Sequence, residues 1–493
     1  MALDALPEGG TGTSNRRVAK NSLIYLLGQC LTWSVTLVAL TIIPRRLGET
    51  AMGQIAFAGT VVGTVFQFLC LSIESFLTTE VGRDRREAER LIQAVLGLRL
   101  VLIPVLAAAV CAILAATHAS PVVWKLALVV LVGVTIAFVL GPLNYVLVGL
   151  EEARRVMAIN TLNSSSQLFA VPFLRYGPIS VVAASVSVQA LTAAMQVAWI
   201  RTRVRLRPVF RRAEWEHVVR GGLPFLANTL AMSLYGFTTV FLLRHFSGEA
   251  AVGVYSQSQR IFGTFLFIPT AIGSALLPSL SRLVAAAPSE FRAMQSRILS
   301  LMVTLGLPVA CGAFLLAKPL CNLLYGHHGF GGVPAALQVA AFNVIPVYIT
   351  STMYQFLTAQ RKNAVWSLFL MATVALNALG CVALIPLCER VFNNAAMGAQ
   401  AACLIAELVT VPFALVLLRT NPFDGVTLSR LTRAFAAAAA MAAVMWATRG
   451  LFIVVPAALG LVTFAAAAWS LHALGDEDQA RLVELVRARL RRR

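Results

Sequence analysis

The sequence predicts an all-α protein that crosses a membrane about fourteen times, as two pseudo-symmetric six-helix bundles followed by a C-terminal helix pair. Three observations predict it. Hydrophobic residues are 58% of the 493 positions and charged residues 12%, against roughly 45–50% and 25% in an average soluble protein. Apolar runs of about 20 residues recur along the chain, long enough to cross a hydrocarbon core of roughly 30 Å. Third, Gly48-Glu49-Thr50-Ala51-Met52-Gly53 returns as Gly248-Glu249-Ala250-Ala251-Val252-Gly253, with four of the six positions identical. Internally repeated membrane folds hold their substrate between the repeats, so the duplication points to transport.

The elements follow in order. Residues 1–15 are polar and Gly-rich, an expected disordered terminus. The first span follows Arg16, Arg17 and Lys20, and its apolar run is too long for a cleavable signal. The first bundle, 16–200, has spans at 18–43, 51–79, 91–116, 122–149, 157–174 and 178–200. Residues 201–220 form a basic connector, in which seven arginines read either as a topology anchor against anionic headgroups or as a docking site for a polyanion. The second bundle, 221–419, has spans at 221–243, 251–280, 298–317, 333–359, 364–386 and 396–418. A hairpin of two further spans, 434–448 and 451–471, occupies 420–472 outside the duplicated part. In the tail, 473–493, acids lead, arginines close and Leu482, Leu485, Val486 and Leu490 share one face, the pattern of an interfacial amphipathic helix.

The net charge of +19 would suggest nucleic acid in a soluble protein. Threading fourteen spans with both termini in the cytoplasm instead puts 30 of the 40 Lys and Arg in cytoplasmic segments. That is the positive-inside asymmetry, and it excludes nucleic acid as the reason for the basicity. The eight cysteines contain no CxxC pair and mostly lie in mid-span; only Cys321 and Cys388 fall near one face, where a disulfide has no other support. His327-His328 has no further His or Cys spaced to complete a metal site, and no Walker A sequence is present. No cofactor, metal or enzymatic activity is expected.

Polar side chains within spans are informative because hydrocarbon offers them no partner. They concentrate in spans one, two, five, seven, eight and ten, including Asn21 and Gln29 in span one, Asn228 in span seven, and Tyr255, Gln257 and Gln259 in span eight. An uncharged polar cavity suited to sugar hydroxyls is the expectation. Arg260 is the sharpest residue, about 13 Å into its span at 1.5 Å per residue; Thr60 stands two hundred positions earlier, so the duplicated fold does not itself demand arginine. It reads as an anion-binding guanidinium or as the buried partner of Glu407, at comparable depth in span twelve. Glu407 alone is a candidate protonatable site for H+ or Na+ coupling. Glu74 and Arg99 lie at matching depth in adjacent spans and suit an ion pair. Arg45 and Arg46 stand at the outer mouth, where they would draw or release an anion or simply be solvated.

The chain resembles the polysaccharide-type flippases of the MOP superfamily, the Wzx-like exporters of O-antigen and exopolysaccharide repeat units. The resemblance covers nearly the whole length and is carried by Lys20-Asn21-Ser22, Pro44-Arg45-Arg46-Leu47-Gly48-Glu49 with Gly53, Glu80-Val81-Gly82-Arg83-Asp84, and the repeat opening at Leu223-Pro224. It implies two six-helix bundles in a V, alternating access and a central cationic cavity lined by spans one, two, seven and eight. It also implies residence in the bacterial cytoplasmic membrane, a lipid-linked oligosaccharide substrate, and a polysaccharide polymerase and other assembly proteins as partners. In the related lipid II flippases arginines of spans one, two and eight hold the pyrophosphate; here Arg260 matches by position, Arg45 and Arg46 match loosely, and span two has no arginine. Spans thirteen and fourteen would form the groove for the polyprenyl tail.

Two rivals remain open. A cation-coupled multidrug exporter of the same superfamily would want buried carboxylates, yet all five aspartates lie outside the spans. A membrane-bound transferase would need paired acids at one face in a sizeable loop, and Asp476-Glu477-Asp478 reads more naturally as the start of a helix.

Overall fold

The computed structural model describes residues 11–473, apart from 85–86, 150–151, 202–204, 287, 327–328, 361 and 419–424. The tail beyond Ala473 and the pair His327-His328 therefore lie outside the described residues. Seventeen α-helices and one 3-10 turn account for nearly all of the remainder, with no strand among the described residues. Among the described residues, nine helices are long and apolar enough to span a membrane, ten if a pair bent by 48° counts as one span. The protein is an all-α, multi-spanning membrane protein.

The chain divides into two compact units, 1–241 and 242–493. In the first, α1 (Thr11–Cys70) packs on α3 (Glu87–Ala116), α4 (Pro121–Leu140) and α6 (Ala153–Phe169). Around these lie α2 (Ile73–Arg83), α5 (Pro142–Gly149), a 3-10 turn (Val171–Tyr176), α7 (Pro178–Ile200) and the opening of α8 (Arg212–Phe265). Pro121 and Pro178 each stand in the first turn of their helices, where a missing N–H costs nothing. A core of aliphatic side chains from α2, α3 and α5, with Leu77, Leu91, Ile92 and Val146 essentially inaccessible, holds this unit.

The second unit continues from α8 through α9 (Phe267–Ala286), α10 (Pro288–Leu315), α11 (Ala317–Tyr325), α12 (Val333–Phe342) and α13 (Val344–Ala359). The helices α14 (Asn363–Phe392), α15 (Ala395–Leu418), α16 (Gly425–Ala447) and α17 (Val454–Ser470) complete it. The last two pair with each other and lie on α10. Gly460 lets them close, since a Cβ there would stand 2.5 Å from Met445 Cγ.

The repeated hexapeptide marks a repeated corner. Gly48 (φ 79°, ψ 176°) breaks α1 and Gly248 (φ 79°, ψ −170°) breaks α8. That backbone region is essentially reserved for glycine, and no atom lies within 4 Å of a Cβ built at either site, so conformation rather than packing requires the residue. Other irregularities recur at a similar spacing. Span two breaks at Leu71 and Ser72, span eight between Phe265 and Phe267, span four at Gly141, and span ten at Asn343. Pro104 lies inside α3 as Pro308 does inside α10.

Several expected spans are thus not single rods. Span five ends early, at Phe169, before the 3-10 turn. α11 occupies the stretch before the Gly-rich loop, and Cys321 and Cys388 are both free thiols. The basic connector is half helix, because α8 begins at Arg212. Residues 205–209 are docked on α3: Val209 N–H donates to the Gln93 carbonyl (3.0 Å) and Gln93 donates to the Arg205 carbonyl (2.9 Å), while Arg90 pairs with Glu214 of α8 (2.8 Å). Gly97 permits the approach, since a Cβ there would lie 2.1 Å from the Val209 carbonyl oxygen.

Candidate functional site

The polar residues of span eight divide between the two sides of their helix. Tyr255 and Gln257 are buried, so in this conformation they face other helices rather than solvent. Tyr255 Oη accepts from Gln259 Nε2 (2.9 Å), and neither Gln257 amide atom has a hydrogen-bond partner. Next to Gln257, Ser258 accepts from Gln400 of α15 (2.8 Å). Arg260, one position past the half-buried Gln259, keeps an exposed side chain.

No carboxylate pairs with Arg260 among the described residues. Glu407 instead accepts from Thr350 of α13 (3.1 Å), so the structure does not join these two residues as the sequence allowed. The group within electrostatic reach of Arg260 is the Tyr325 hydroxyl at the end of α11, which is buried without a hydrogen-bond partner. A guanidinium without a carboxylate partner offers several N–H donors to an anion. Tyr325 was invisible as a candidate because it lies between the expected spans at 298–317 and 333–359.

Of the other candidates, Arg45 and Arg46 are exposed beside the Gly48 corner, and Asn228 is half-buried near the start of α8. Asn21 and Gln29 lie on α1, with side chains outside the described residues.

In the first unit, Glu74 and Arg99 form the ion pair their depths suggested. Arg99 is 1% exposed, donates a second hydrogen bond to the Phe138 carbonyl and lies 4.9 Å over the Phe138 ring. Glu74 borders a chamber of about 610 Å³. Its walls include Asn144, Asn163, Gln189, Thr192 and Gln196. Thr192 donates to Asn163 Oδ1 (2.8 Å), and Ser72 donates to Thr229 (2.9 Å). The polar residues of α7 could have been found in the sequence: Gln189, Thr192 and Gln196 are spaced to share one helical face.

Residues 42–328 match the polysaccharide biosynthesis protein family. The chain belongs to that family. No curated protein sequence matches it. Among solved structures, the lipid II flippase MurJ in an inward closed conformation is similar with a TM-score of 0.73 at 12% identity, covering 90% of this chain and 98% of that one. An inward-facing multidrug resistance MATE family transporter of the MOP superfamily is similar with a TM-score of 0.67 at 16% identity, covering 78% and 93%. A MOP superfamily transporter from Pyrococcus furiosus reaches 0.57 at 16%, covering 82% and 94%. At these identities the likeness establishes the fold. This member of the polysaccharide biosynthesis family therefore has the MOP transporter fold.

Proposed function

We propose that the protein is a flippase that moves an undecaprenyl-pyrophosphate-linked oligosaccharide from the inner to the outer leaflet of the bacterial cytoplasmic membrane, by alternating access and with both termini in the cytoplasm. The observation that carries the reading is Arg260: a permanently charged side chain deep in a span, exposed and without a carboxylate partner among the described residues. A guanidinium grips two phosphate oxygens at once, and an uncompensated charge within a membrane marks a substrate path. Membership of the polysaccharide biosynthesis family supports a saccharide as the cargo.

In this mechanism Arg260 holds the pyrophosphate, aided by the Tyr325 hydroxyl, and uncharged polar groups solvate the sugars. Arg45 and Arg46 attract the anion toward the outer mouth, and α16 with α17 carries the polyprenyl chain on an apolar face. No covalent step occurs. Outward movement of an anion from an interior-negative cell is favoured by about 2.3 kcal/mol per charge per 100 mV, so two phosphate charges supply a driving force without a coupling ion.

The test is surface polysaccharide in cells carrying only Arg260→Ala or Arg260→Lys. The Ala variant should abolish it and the Lys variant should retain a small fraction, because charge survives but bidentate geometry does not. Normal polysaccharide with Ala would reject the assignment. A cation-coupled exporter would instead depend on Glu407, and Glu407→Gln should then stop organic-cation uptake into inverted vesicles.

A further inference from the structure

We propose that the chamber in the first unit is a second substrate subsite, one that takes uncharged sugar residues. The inference rests on the flippase reading for its source of sugar, and on the chamber itself for its chemistry.

One span is broken and another is bent where they line it. Leu71 and Ser72 both adopt φ 52°, while Gly141 keeps helical angles (φ −54°, ψ −37°) and α4 bends there into α5 ahead of Pro142. Left-handed backbone at two consecutive non-glycine residues costs on the order of 1–3 kcal/mol each, persists only where the surrounding structure holds it, and clusters at ligand sites. Non-helical backbone at membrane depth is tolerated only inside protein or beside a hydrated cavity, and interrupted helices of this kind build transporter binding sites.

The duplicated half provides a control. At its corresponding break, after Phe265, Tyr348 is fully buried and its hydroxyl donates to the Phe265 carbonyl at 2.6 Å. Phe262, Met353 and Phe356 belong to the same buried cluster. A buried aromatic side chain therefore satisfies the broken backbone in the second unit, whereas in the first unit the break borders the chamber.

The lining selects the ligand. Asn144 Oδ1 and Gln196 Oε1 are buried without a partner, and Gln196 is only 6% exposed. An unmade hydrogen bond at a buried acceptor costs about 1–3 kcal/mol, and a sugar hydroxyl would make it. Glu74 is the one charged residue among the described residues of the wall. Arg99 neutralises it, so the chamber offers neither a free anion for a cation nor a free cation for a phosphate. Phe66 and Tyr145 add flat apolar faces for a pyranose ring. Amides, hydroxyls and aromatic faces with no net charge are the recognition set for a neutral saccharide.

The binding test uses the purified full chain in lipid nanodiscs, with methyl glycosides of the neutral sugars found in the host's surface polysaccharide as probes. Saturation-transfer NMR should detect at least one glycoside on the wild type. Gln196→Leu, and Gln67→Ala at the exposed part of the wall, should reduce the signal at least fivefold without lowering the unfolding midpoint. No signal from any glycoside on the wild type, or equal signals on wild type and both variants, would overturn the proposal. A transfer assay then separates the two readings. Gln196→Leu should slow transfer of the lipid carrying the full repeat unit about tenfold while leaving the lipid carrying one sugar unaffected. Equal slowing of both lipids would overturn the subsite. A wild type that transfers neither lipid yet binds a glycoside would overturn the flippase and leave the subsite standing.

Discussion

Arg99→Leu provides the most quantitative test of how the first unit is held around its chamber. The guanidinium is 1% exposed, is paired with Glu74, and donates to the Phe138 carbonyl where α4 nears its end. Removing one partner of a buried pair costs about 3–5 kcal/mol, chiefly because the other charge is left uncompensated. Glu74 keeps 17% of its side chain accessible, so water relieves part of that charge and the electrostatic loss falls at the lower end, about 3 kcal/mol. The orphaned Phe138 carbonyl adds about 1 kcal/mol or more. Adding Glu74→Gln removes the stranded charge and leaves mainly the carbonyl unsatisfied, so the double variant should lie about 1–3 kcal/mol below wild type and above Arg99→Leu. Urea unfolding in mild detergent, followed by circular dichroism across the double-mutant cycle, measures the difference. Arg99→Leu within 1 kcal/mol of wild type, or a deeper loss on adding Glu74→Gln, would refute the reasoning.

Three further outcomes follow from local geometry. Gly48→Ala and Gly248→Ala should each cost about 1–3 kcal/mol through backbone strain alone, and they should add nearly independently; a combined loss under 1 kcal/mol would contradict the glycine-only corners. Gly97→Ala should lift the connector from α3, because its Cβ would lie 2.1 Å from the Val209 carbonyl oxygen; trypsin should then cut between Arg205 and Arg212 several-fold faster, and an unchanged rate would argue against tight docking. Tyr325→Phe should leave stability unchanged or improve it by up to about 1 kcal/mol, since it deletes an unpartnered buried hydroxyl, while slowing lipid transfer; a loss of stability would show that the hydroxyl has a structural partner.

The helices were legible because membrane depth forces backbone self-satisfaction, so apolar length alone locates them. The Gly48 and Gly248 corners were legible because a backbone requirement leaves a glycine at the same place in both repeats. The break at Leu71 and Ser72 was not legible, because neither residue is glycine or proline, whereas the bend at Asn343 could have been read from Pro346, whose ring clashes with the Phe342 carbonyl four residues back. The Glu74 and Arg99 pair could be read from depth, since two charges in hydrocarbon need each other. Arg260 and Glu407 share a similar depth, yet depth does not encode helix rotation, and Glu407 meets Thr350 instead. Gln257 and Tyr255 show the same gap: polarity marked them, but only the fold reveals that they are turned inward.

The central claim is that Arg260 carries a lipid-linked pyrophosphate across the membrane. Its most direct test is transfer by purified protein in proteoliposomes under an imposed potential, measured as exposure of the oligosaccharide to a membrane-impermeant glycosidase on the far side. The account predicts potential-dependent exposure with wild type and none above protein-free vesicles with Arg260→Ala. Equal exposure with both proteins would contradict it.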